Sequence, residues 1–437
     1  MLLLLIGLLT ILSLIAYALF DRDVLAPPAV VSLGLLFSSV CAFYNETQWG
    51  LNFSSTGVWT IVAGVSAFII GGVFAVLLAN RYRLHRIGFS HIVSNIFPIN
   101  IKTFKTVIVI LFQLFTIVLL YTELRNLTGG STWYETIIIW RLQEGTVRPD
   151  LFTMRLSGLL SICLQFNFAI GLIYAYVVGN NFAAKIRQMR LDWMPLLLSS
   201  LLSLMQAYRS GVIRLFIALI VVTYILKKRS VGWKSTEETK KMIKKMGLSL
   251  ITMVMLFGLL RGAVGRYDDD SVLEHITFYA GTPVASFDVY LQEPWIPSEI
   301  WGKETFYALN QNIAVRTKGG ERYIFYKEFR QSPNGTWLGN VYTALRAPYH
   351  DFGFMGMIVV MFIMGLFFTY FYCKVRVKQG KELIDFRLLL YSYVSYTFFL
   401  YFYNCYHDFI ALGLIKLVVE LYFVKWFLFN LRFKLKF

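Results

Sequence analysis

The sequence predicts an all-α integral membrane protein of about eleven membrane-spanning helices, with one large loop opposite its basic connections. Three observations carry this. Hydrophobic residues make up 57% of the 437 positions and mean hydropathy is +0.59, while the 15% of charged residues falls well short of the roughly 25% usual in soluble domains. Apolar runs recur at close to the ~20 residues that cross a bilayer as a helix, and helices satisfy every backbone group within the segment. Lysine and arginine gather in alternate connections.

Spans are expected near 2–20, 25–43, 58–79, 105–122, 153–178, 193–208, 211–226, 247–260, 354–373, 387–404 and 409–428. The first is followed by Asp21-Arg22-Asp23 and lacks a basic leading segment, so it reads as a retained helix rather than a cleaved signal. Tyr44 to Gly57 is a short loop without Lys or Arg. Thr132 to Leu142 reads as a short helix, either a lid or an interfacial anchor built on Trp133, Tyr134 and Trp140. Residues 1–260 thus hold eight spans, 261–350 the large loop, and 351–437 three more.

The net charge of +17 would suggest a nucleic-acid partner in a soluble chain, but its distribution gives a simpler account. Arg81 to Lys105, Lys185 to Arg190, Lys227 to Lys245, Lys374 to Arg387 and the tail from Lys425 all fall on one side of eleven spans. The positive-inside rule makes that side cytoplasmic, which puts the N-terminus and the loop 261–350 outside and the C-terminus inside. No nucleic acid is expected. The four cysteines, Cys41, Cys163, Cys373 and Cys405, have no metal-ligand spacing and read as apolar packers.

The loop is too long to be structureless. His275 to Leu291 has a helical apolar pattern, interrupted by Gly281 and Pro283, and Trp301 to Ile313 suggests a second short helix. Asp268-Asp269-Asp270 is either a solvated acidic turn or a set of oxygen ligands for a divalent cation. No cofactor is expected otherwise: there is no Walker loop, dinucleotide fingerprint, zinc spacing or nucleophile–histidine set.

The chain's chemistry is expected where the loop re-enters the membrane, from Asn340 to Gly356. Ala347 precedes Pro348, which predicts an irregular approach. His350 and Asp351 are suited to accept a proton from a hydroxyl, and Asp351 is equally suited to cap the next helix. Arg209 and Arg214 open the seventh span, and Arg261 and Arg266 close the eighth with the same five-residue spacing. An arginine one turn inside a span needs a cavity or an anionic partner, and its fork matches phosphate oxygens. Arg330 at the loop tip reads as an ordinary salt-bridging residue. Lys416 and Glu420, four apart on one helix, read as a neutralising pair. The tetrapeptide Tyr-His-Asp-Phe occurs at 349–352 and again at 406–409.

Three stretches carry a resemblance: Arg209-Ser-Gly-Val-Ile-Arg214, Tyr279-Ala-Gly-Thr-Pro-Val-Ala-Ser-Phe-Asp-Val-Tyr-Leu291, and Gly339-Asn-Val-Tyr-Thr343 with Tyr349-His-Asp-Phe-Gly353 and Gly356. In these and in topology the chain resembles the Wzy-type oligosaccharide repeat-unit polymerases of O-antigen and capsule synthesis. The resemblance implies a GT-C-like inverting glycosyltransferase of the bacterial inner membrane that moves a growing glycan from undecaprenyl diphosphate onto a lipid-linked repeat unit. It implies that Arg209, Arg214, Arg261 and Arg266 bind the diphosphate, that His350 or Asp351 handles the acceptor hydroxyl, and that Tyr279, Asn340, Tyr342 and Tyr349 contact glycan or shape the cleft. A chain-length regulator and a flippase are implied partners. A ligase using another acceptor, and a lipid-linked-glycan flippase, are the competing readings.

Overall fold

The computed structural model describes residues 1–81, 96–144, 156–185, 190–233, 271–317, 327–377 and 382–431, with single positions between 240 and 255. In chain order the helices are α1 (Leu2–Leu19), α2 (Pro27–Tyr44), α3 (Glu46–Trp49), α4 (Ser55–Arg81), α5 (Thr103–Thr128), α6 (Trp133–Glu144), α7 (Gly158–Ala183), α8 (Met194–Met205) and α9 (Arg209–Val231). After the large connection come α10 (Val272–Leu291), α11 (Tyr307–Thr317), an antiparallel pair of short strands β1 (Arg330–Gln331) and β2 (Trp337–Gly339), α12 (Arg346–Val375), α13 (Phe386–Phe399) and α14 (Leu412–Lys425).

Seven of these helices, α1, α2, α4, α5, α7, α9 and α12, are long and apolar enough to cross a membrane, so the chain is a multi-pass helical protein. Three expected spans correspond to shorter helices, α8 with 12 residues and α13 and α14 with 14 each. The expected span 247–260 lies outside the described residues except for Gly247 and Met255, which are helical. Hydropathy overstates α13 because Leu388 to Phe398 is almost entirely enclosed by other helices and need not match the bilayer. The chain turns just beyond it, where the Tyr401 carbonyl accepts the Ala344 N–H at 2.8 Å.

Glycines set the closest approaches. A Cβ at Gly71 of α4 would meet the Phe362 carbonyl oxygen of α12 at 2.1 Å, and one at Gly365 would meet the Phe68 carbonyl oxygen at 2.1 Å. With no hydrophobic drive between helices in lipid, such small-residue contacts hold helix pairs together. Gly281 does the same for α10, since a Cβ there would lie 2.7 Å from the Ala42 nitrogen of α2. The expected break near Gly281 and Pro283 is absent, and α10 runs through both.

The two ends of the bundle differ. At one end the buried Asp23 carboxylate accepts the Tyr224 and Tyr372 hydroxyls at 2.5 Å each. There Arg376 pairs with Asp21 at 2.9 Å and Arg229 with Asp385 at 2.8 Å, which ties the α1–α2 turn to α9, α12 and α13. At the opposite end α10 lies across the start of α4, where Asp288 accepts the Ser54 N–H and hydroxyl. Gly353 interrupts α12 there (φ 69°, ψ −172°). The irregularity predicted at Ala347-Pro348 therefore falls six residues later than Ala347. Pro348 sits in the first turn of α12, where its missing N–H has no helical partner to lose.

Elsewhere in this region the segment expected as one helix from Trp301 is a turn over 301–306 followed by α11. The helix expected over 132–142 is present as α6. Its Trp140 is buried against Leu160 and Leu202 and so packs into the bundle.

Candidate functional site

The first two turns of α12 carry Arg346, Tyr349, His350 and Asp351. A four-residue spacing puts Arg346 and His350 on one face, and the structure gathers a charged cluster around that face. Arg346 is 1% exposed; it pairs with Glu304 and with Glu328 (2.6 Å), and its guanidinium lies 4.8 Å and 4.5 Å from the ring centres of Tyr290 and Tyr342. His350 Nδ1 is 2.9 Å from the Tyr290 hydroxyl and its Nε2 is 3.6 Å from Glu304 Oε1. Burial pushes the Glu304 carboxyl up to about 7, against the pull of Arg346 and Lys327. Lys327 donates to Asn404 at 2.6 Å, and burial holds its ammonium below the usual lysine range.

Asp351 does not cap its own helix. Its Oδ2 accepts the Glu304 and Thr305 N–H groups at 3.0 and 2.7 Å, and its Oδ1 accepts Glu304 N–H at 3.2 Å. Both oxygens are thus engaged in holding the turn 301–306. Thr305 is also met by the second Tyr-His-Asp-Phe copy, through a 3.2 Å contact between His407 Nδ1 and its carbonyl oxygen.

A cavity of about 730 Å³ is bounded by α7, the α8–α9 turn, α11 and α14. Ligand sites commonly span roughly 300–1,000 Å³. Arg214, one turn into α9, lines it together with Asp408, Glu420, Gln165, Tyr208 and Trp140. Arg214 Nη2 donates to Asp408 Oδ2 at 2.7 Å, and its guanidinium lies 4.0 Å from the centre of the Tyr396 ring. Tyr396 donates to the same Asp408 Oδ2 at 2.8 Å. Arg214 Nε is buried and has no partner among the described residues. Lys416 and Glu420 both line the cavity, with their charges interacting but no direct ion-pair contact between them, and Glu420 is 8% exposed.

The remaining expected residues are dispersed. Arg209 lies over the Tyr279 ring at 5.3 Å, toward α10 rather than toward the cavity. Five residues turn a helix by roughly 140°, so Arg209 and Arg214 occupy different faces of α9. Arg261, Arg266 and Asp268–Asp270 lie outside the described residues. Tyr342 is fully buried, with its hydroxyl donating to the Glu328 carbonyl at 2.7 Å. Tyr349 is half-buried against Tyr290 and Phe287, and Asn340 is half-buried in the bend after β2. Arg330 pairs with Glu293 and accompanies Glu328, as expected of a loop-tip residue.

Sequence reasoning missed Glu304, Asp408 and the part played by Tyr290. The repeated tetrapeptide was the available signal for Asp408; nothing local marks Glu304. Among the described residues no group of three or more His, Cys, Asp or Glu side chains could hold a metal ion. No family model, curated protein or solved structure matches this chain.

Proposed function

We propose that this chain is an oligosaccharide repeat-unit polymerase of a bacterial inner membrane. In this reading it transfers a growing glycan from undecaprenyl diphosphate to the non-reducing end of a lipid-linked repeat unit, with inversion, on the extracytoplasmic face. The observation that carries the reading is Arg214: an arginine one turn inside an apolar helix, lining a large cavity beside Asp408, with a buried N–H that has no partner among the described residues. Arginine at that depth is costly unless a ligand or partner uses it. A diphosphate between a lipid tail and a sugar has its charge at the membrane surface, where α9 begins.

An apolar groove lined by Val118, Tyr121, Trp133 and Met205 adjoins the cavity. Its Met205 and Trp133 pack in one apolar cluster with Leu202 and Trp140, which line the cavity, and the groove suits the first part of a prenyl tail. Arg214 would donate to the diphosphate and stabilise the negative charge that develops as the leaving group departs. The cluster around Arg346, His350 and Asp351 would keep the turn 301–306 seated beside the cavity, with α10 and the strands on the extracytoplasmic side.

The test is a reconstituted assay with a purified undecaprenyl-diphosphate-linked repeat unit, with and without EDTA, read by mass spectrometry. Lengthened lipid-linked glycan is expected. A glycan that only changes leaflet, or one that moves only to a different acceptor, would replace this reading with a flippase or a ligase.

A further inference from the structure

We infer that Asp408, in the connection between α13 and α14, is the proton acceptor for the attacking hydroxyl; this rests on the polymerase reading above. Asp408 is the third residue of the second Tyr-His-Asp-Phe copy, and its side chain is 41% exposed while lining the same cavity as Arg214. Its two oxygens are in different situations. Oδ2 is fixed by Arg214 Nη2 at 2.7 Å and by the Tyr396 hydroxyl at 2.8 Å. Oδ1 has no partner among the described residues. A carboxylate anchored through one oxygen and open at the other is oriented to take a proton.

The alternatives are less well placed. Asp351 is 8% exposed and spends both oxygens on the amides of Glu304 and Thr305. His350 is engaged through Nδ1 by Tyr290. Glu420 lies eight residues along α14 from Leu412, about 12 Å deeper at 1.5 Å per residue, which is away from the level of Arg214. Asp408 shares that level because Arg214 itself is its partner.

The step balances without a further reactant. The acceptor hydroxyl gives its proton to Asp408 Oδ1 as its oxygen bonds to the anomeric carbon. The bond from that carbon to the diphosphate oxygen breaks, and undecaprenyl diphosphate leaves with the electron pair. Arg214 Nη2 holds the base, and the guanidinium's positive charge beside the cavity offsets the charge of the departing diphosphate.

The experiment compares wild type, Asp408→Asn, Asp408→Glu and Tyr396→Phe in proteoliposomes. Elongation of the lipid-linked repeat unit, binding of undecaprenyl diphosphate and unfolding temperature are each followed. Asp408→Asn is expected to lower elongation on the order of 100-fold or more while binding stays within about threefold, and Asp408→Glu to recover part of the rate. Tyr396→Phe removes a hydrogen bond to the carboxylate and is expected to move the acid limb of the rate–pH profile to higher pH. Elongation by Asp408→Asn at the wild-type rate would overturn the assignment alone. Joint loss of elongation and binding in folded Asp408→Asn would also overturn it, since the residue would then act by holding Arg214. If Asp408→Asn does not fold, an unmoved acid limb in Tyr396→Phe overturns it. Wild type that neither binds nor elongates would remove the polymerase reading itself.

Discussion

Asp351 and His407 hold opposite sides of one peptide residue. Asp351 accepts the Thr305 N–H at 2.7 Å, and His407 Nδ1 meets the Thr305 carbonyl oxygen at 3.2 Å. A carbonyl only accepts, so the His407 proton is on Nδ1 and Nε2 accepts from the Tyr401 hydroxyl at 2.8 Å. Burial pushes the His407 ring down to about 4, which keeps it neutral at physiological pH. The two Tyr-His-Asp-Phe copies thus clamp one turn, and through it the start of α12 is tied to the edge of the cavity. The second copy then places its aspartate on Arg214.

Glu304, beside this clamp, responds to pH. Its carboxyl is raised from 4.5 to about 7. Between those values the folded chain keeps a proton that the unfolded chain releases, so stability falls as pH rises through this window. The unfolding temperature in detergent is expected to drop by a few degrees from pH 5 to pH 7.5, and Glu304→Gln to flatten that slope. A rise over the same range would contradict the account.

Arg346 is the buried counter-charge. Removing one member of a buried pair leaves the other uncompensated, at a cost of about 3–5 kcal/mol. Arg346→Met is expected to destabilise strongly, and Arg346→Met with Glu304→Gln less than Arg346→Met alone. Denaturation midpoints for the three variants and wild type measure the coupling.

The α4–α12 contact depends on two glycines. Gly365→Val and Gly71→Val would each drive a side chain into a backbone carbonyl, since even a Cβ meets one at 2.1 Å. Both are expected to lose most folded protein on size-exclusion chromatography. Gly7→Val, with nothing within 4 Å, is expected to behave as wild type.

Arg214 and Arg330 should differ. Arg214→Ala is expected to abolish elongation at normal protein levels, as measured by glycan ladders. Arg330→Ala, which breaks a pair with the half-exposed Glu293, is expected to retain elongation, because partly exposed pairs contribute about 1 kcal/mol or less. Wild-type ladders from Arg214→Ala would sink the diphosphate assignment.

The membrane class was legible because runs of about 20 apolar residues have no other stable home. The length of each apolar helix was less legible, since composition cannot distinguish a helix enclosed by protein, such as α13, from one facing lipid. The rule for residues before proline put the irregularity at Ala347, yet proline is tolerated in a first turn and it is Gly353 that takes the left-handed φ. Arg214 could be singled out from depth alone. Its partner Asp408 is 194 residues away, and only the repeated tetrapeptide hinted at it. Glu304 is one of several loop carboxylates, and only tertiary burial separates it from the others.

The most direct measurement is the affinity of purified undecaprenyl diphosphate for wild-type protein and for Arg214→Ala. Charge-assisted hydrogen bonds contribute about 1.5–3 kcal/mol, so the account predicts that the substitution weakens binding by on the order of 10- to 100-fold. Equal affinity in the two proteins would contradict it.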